Sequence, residues 1–91
     1  MNTIENYQFI TGTYNIEQAN DILKALYKSL INYHKIENLS TQVRYDTLNN
    51  EALEAIEKLK QEIQDIDQTI NVARLIDKKI KIKSTIEVYY E

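Results

Sequence analysis

The chain has 91 residues, a formal net charge of −3 and a pI near 5.2. It contains no cysteine and one histidine, which excludes disulfides, thiolate metal sites and any site built from paired imidazoles. The acidic balance gives no general attraction to nucleic acid, and no apolar run reaches the roughly 18 residues of a membrane span.

The opening MNTIENYQFITG lacks a basic start followed by an apolar run, so it does not read as a secretory signal and a cytoplasmic location is expected. A single domain of this size buries only roughly 60–65% of its unfolded surface. Small domains compensate with disulfides, metals or partner chains. Without cysteine, and with no cofactor or metal expected, association with partner chains is the reinforcement left. The richness in Ile, Asn, Lys and Tyr is that of AT-rich coding and points by association to a bacterial source, a phage or a mobile element.

With no proline and one glycine, the elements should be long and uninterrupted. Residues 6–13, NYQFITGT, predict a strand from Tyr7, Phe9, Ile10, Thr11 and Thr13. Strict alternation would send Phe9 and Ile10 to opposite faces. Gly12 reads as a bulge or exit turn.

A helix follows over 15–36. Asn15 and Gln18 have the spacing of a capping box. Residues from Ile16 to His34 place an apolar arc of roughly 180° on the helical wheel. Residues 37–49, ENLSTQVRYDTLN, show no apolar period and read as a connector that caps the open end of a helical hairpin.

The second helix is expected over 50–79, capped by Asn50. Ala52, Ile56, Leu59, Ile63, Ile66, Ile70 and Ala73 recur at alternating spacings of four and three, a heptad seam. A parallel coiled coil through this seam would set Glu62 against Asp67, so an antiparallel seam within the hairpin is the better use of it. Val72, Leu75 and Ile76 lie off the seam, which predicts something packed beside them.

The last stretch, 80–90, alternates cleanly. Ile80, Ile82, Ile86, Val88 and Tyr90 share one face with Ser84; Lys81, Lys83, Thr85, Glu87 and Tyr89 share the other. The fold class is therefore α+β, in the order β-α-α-β. A long antiparallel helical hairpin packs on an antiparallel sheet made by the two chain ends. Two strands alone are marginal and keep open edges. The first helix also carries about twice the apolar arc that the second helix's seam can cover. Both mismatches predict a homo-oligomer that extends the sheet.

No Gly-rich phosphate loop, metal cluster or activated nucleophile stands out, and no enzymatic activity is expected. A Ser40–His34–Asp46 triad lacks a nucleophile elbow and an oxyanion-hole glycine. Seven of eight aromatics are tyrosine, a residue suited to interfaces. The expected function is a small scaffold or adaptor that binds another protein. Its candidate contact residues are Arg44, Tyr45, Gln42 and Asp46 in the connector, with His34 nearby. The alternative is a nucleic-acid binder using Lys79, Lys81, Lys83 and Tyr89. Against it, cations near the end of the second helix are what a helix C-terminus favours anyway.

Overall fold

A computed structural model describes residues 3–90. The order is β1 (Thr3–Tyr14), α1 (Ile16–Tyr45), α2 (Asn50–Leu75) and β2 (Ile80–Tyr89). The chain is therefore α+β, as its patterning predicts. The helices form an antiparallel hairpin, and β1 and β2 pair antiparallel into a two-stranded ribbon. The molecule is a flat slab of 50 × 32 × 17 Å.

Helix α1 starts where the sequence places it. The Asn15 side chain accepts from the Gln18 backbone N–H at 2.8 Å, and the Gln18 side chain accepts from the Asn15 N–H at 3.2 Å. These bonds satisfy donors that the first helical turn leaves orphaned. The helix does not stop near Ile36. It runs to Tyr45, about 45 Å in all, so most of the expected connector is helical and only residues 46–49 join the helices. The reason is visible at the inward positions. After Ile31 the inner stripe carries His34, Asn38 and Thr41, which are polar or part-polar but partly buried. Asn38 and Thr41 are held by hydrogen bonds to Asn49. The helical period continues, but in polar residues.

The two helices are locked in one register. Lys24 pairs with Asp67 at 2.6 Å and Arg74 with Glu17 at 2.8 Å, and the residue numbers of each pair add to the same total, as an antiparallel register requires. Both pairs are partly exposed, so they fix alignment more than they add stability. The heptad stripe faces inward: Ala52, Ile56, Ile70 and Ala73 are buried, and Leu59, Ile63 and Ile66 partly so.

Helix α2 ends at Leu75, earlier than expected, in a Schellman turn. The Lys78 N–H donates to the Ala73 carbonyl at 3.1 Å and the Asp77 N–H to the Arg74 carbonyl at 3.3 Å. Asp77 adopts the left-handed conformation with φ of 52°, where glycine is usual. Val72, Leu75 and Ile76 are exposed, Leu75 at 86%, so among the described residues no element covers them, contrary to expectation.

In the ribbon, Tyr14 faces Ile80, Gly12 faces Ile82, and Ile10 faces Ser84. The register shifts between Gln8 and Ile10, which leaves Phe9 as an extra residue on β1. This bulge resets the alternation. Ile10 packs on the core while Phe9 lines the space beneath the helices with Ser84 and Ile86, so both neighbours serve the helix-facing side. A second shift lies between Thr3 and Glu5, again with the extra residue on β1. Gly12 is neither bulge nor exit turn. It sits in paired strand, and a Cβ there would come within 3.0 Å of the Tyr14 hydroxyl and 3.1 Å of Cζ. Its bare backbone makes room for the Tyr14 ring.

The core is small. Ala19 from α1, Ile70 from α2 and Ile82 from β2 meet at its centre, with Ile10, Tyr14 and Ile66 packed against them. Because Asp77 holds a positive φ, Asp77→Gly relieves backbone strain and should stabilise the fold by about 1 kcal/mol. Thermal unfolding should show a midpoint raised by roughly 4–8 °C.

Candidate functional site

Three regions could carry function: the hairpin tip, the cleft between the layers, and the outer row of β2. At the tip, one face of α1 supplies Tyr33, Ile36, Glu37, Ser40, Arg44 and Tyr45, at steps of three and four residues apart from the adjacent pairs Ile36–Glu37 and Arg44–Tyr45. Together with Thr41 they line a shallow hollow of about 320 Å³. Arg44 and Tyr45 are brought together there. Gln42 and Asp46 lie instead in a smaller depression with Thr47 and Leu48. Both have structural work: the Asp46 N–H donates to the Gln42 carbonyl at 3.0 Å, with Asp46 in the left-handed conformation that ends α1.

His34 lines neither depression. Its Nδ1 donates to the Glu37 carboxylate at 3.0 Å, and its ring meets Tyr33 edge-on at 5.2 Å. His34 and Asp46 are twelve residues apart along α1, about 18 Å of rise. The paper triad with Ser40 is therefore not assembled. Among the described residues, no group of three or more His, Asp or Glu side chains is placed to hold a metal ion.

Asn49 organises the tip. Its side-chain oxygen accepts from the Ala52 N–H at 3.0 Å, which makes it the cap of α2, one residue before the expected Asn50. Its backbone N–H donates to Asn38 at 2.8 Å and its side-chain amide donates to Thr41 at 3.1 Å. One residue thus starts α2 and ties it to α1.

The second region escaped the sequence reading. Phe9, Leu26, Tyr27, Leu30, Leu59 and Ile86 line an open cleft of about 550 Å³ where the ribbon diverges from the helices. Phe9 and Leu30 are half exposed. The signal for it was the excess apolar arc of α1, which has no matching arc on α2. Glu62 and Tyr27 meet at its wall. Hydrogen bonding to the Glu62 carboxylate, then burial, then that group's negative charge, hold the Tyr27 phenol above its ordinary pKa.

The third region is the solvent-facing row Lys81, Lys83, Thr85, Glu87 and Tyr89, all exposed. Lys79 lies just before the strand. The row is not uniformly basic: Tyr89 donates its hydroxyl to the Glu87 carboxylate, so the one aromatic of the alternative nucleic-acid face is tied to an anion.

Asn49→Ala removes a helix cap and the side-chain bridge to Thr41, while the backbone bond to Asn38 stays, and chemical denaturation should show a loss of about 1–2 kcal/mol. Tyr27→Phe should remove a phenol that titrates above its ordinary range from an alkaline absorbance titration. With the folded pKa raised, the Tyr27 contribution to stability is full below the unfolded value and lost as pH rises from about 10. The variant should therefore lose less stability on alkaline titration than the parent. No protein-family model, curated protein or solved structure matches the chain.

Proposed function

We propose that this chain is a non-enzymatic, self-associating scaffold or adaptor that binds another protein. The observation that carries the reading is apolar surface left uncovered on every element. Tyr7 and Phe9 on β1, Leu39 and Val43 on α1, Val72 on α2 and Ile86 on β2 are all exposed, Val43 at 78%. A large share of such exposed apolar side chains is surface that a partner would cover. The three residues at the centre of the core are small or medium-sized, and among the described residues no large side chain is fully buried. One copy therefore has little interior to hold it, and a second copy would supply more.

The hollow holding Arg44 and Tyr45 is the best surface for a different protein. It combines a guanidinium able to fork onto a carboxylate with tyrosine and aliphatic area, the composition of interface anchors. No helix among the described residues is long and apolar enough to cross a membrane.

Light scattering at micromolar concentration tests self-association. A mass that is a multiple of 10.7 kDa is expected, and a mass of one chain refutes it. Replacing Arg44 and Tyr45 with alanine should leave helicity and self-association unchanged while abolishing capture of the bound protein. An oligonucleotide titration at low salt should give no anisotropy change; a salt-sensitive change would favour the nucleic-acid face instead.

A further inference from the structure

The two edges of the ribbon are unlike. Both extra residues lie on β1, which is bulged twice, whereas β2 runs from Ile80 to Tyr89 without interruption. Bulges twist an edge away from further pairing, and an even strand with open backbone groups invites it. Among the described residues no third strand pairs with β2. Its outer row is charged but unmatched in the chain: Lys81 faces Thr13, Lys83 faces Thr11, and Glu87 faces Asn6.

We propose that β2 pairs antiparallel with β2 of a second copy, about a two-fold axis through Thr85 perpendicular to the sheet. This rests on the self-association proposed above and names its surface. The joined sheet has four strands, with both helical pairs on one side. About that axis Thr85 meets the partner's Thr85, and Lys83 meets the partner's Glu87 twice over. Lys81 lies diagonal to that same carboxylate and opposite the partner's Tyr89. On the helix-facing side, buried Ile82 comes beside the partner's Val88, which is 41% exposed in one copy. Ser84 comes beside the partner's Ile86.

Charge selects this register over its neighbours. Directly opposite and diagonal side chains interact across a ladder, the diagonals at roughly 7–8 Å. With the axis moved to Ser84, Lys83 becomes diagonal to the partner's Lys83. With the axis moved to Ile86, Glu87 becomes diagonal to the partner's Glu87. Only the axis at Thr85, of these three, sets lysine against glutamate with no like charges opposite or diagonal. β1 offers no such code: Glu5 is its one charged residue.

The chain has no cysteine, so one introduced thiol reports the contact. Thr85→Cys should oxidise to a covalent dimer that reductant dissolves. Gln8→Cys, directly across the ribbon from Thr85 on the bulged strand, should not. Lys83→Glu or Glu87→Lys alone should weaken dimerisation on the order of tenfold, and the double exchange should restore it to within about threefold. Circular dichroism confirms that each variant is folded, and light scattering on the unmodified chain separates the two proposals. A dimer whose Thr85→Cys form stays uncrosslinked overturns this pairing and leaves self-association standing. Crosslinking through Gln8→Cys alone, or a double exchange that fails to restore, overturns it as well. A mass of one chain removes both.

Discussion

Ala19 on α1 meets Ile70 on α2 and Ile82 on β2, and this three-way contact joins the helical pair to the ribbon. Ala19 is wholly buried, and its single methyl lets three backbones approach. A larger residue there would push the layers apart, because a packed core accommodates added methylenes poorly. Gly12 works towards the same end from the strand side, since its missing side chain lets Tyr14 lie over the ribbon close to this contact. Away from it the layers diverge, and the open cleft between Phe9 and Leu30 is the result.

The hairpin is held by two chemistries along its length. Near the core the inward positions are apolar, and the heptad stripe of α2 fills them. Towards the tip they become Asn38, Thr41 and Asn49, which bond to one another. Among the described residues no buried side-chain polar atom lacks a partner. A hydrogen-bonded seam of this kind gains less from burial than an aliphatic one, yet it specifies geometry tightly, because hydrogen bonds are directional.

This division explains how far the sequence could be read. The β-α-α-β order, the capping box at Asn15, the stripe of α2 and the alternation of β2 as far as Ser84 all follow from short-range patterns and are found in the fold, whereas Ile86 and Val88 are exposed. The end of α1 was hidden because the stripe from Asn38 onward is polar, and a search for apolar period stops at Ile36. The bulge at Phe9 was hidden for a different reason. Two adjacent apolar residues read as a strand buried on both faces, and an inserted residue yields the same pair on one face. Of the residues picked for the tip, Arg44 and Tyr45 share a hollow. Asp46 and Gln42 act in ending the helix, which a pattern of side-chain chemistry cannot distinguish from recognition. The cleft left only an indirect trace, an apolar arc wider than its neighbour needs.

The irregularity of β1 has a consequence for how such a ribbon behaves in a crowded solution. A sheet with two even margins can recruit strand after strand and grow into a fibre. Here one margin carries two register shifts, so pairing of the kind proposed above would use the even margin and leave only irregular ones outside. Two inserted residues would thereby act as a terminator, limiting growth of the sheet without adding a single charge.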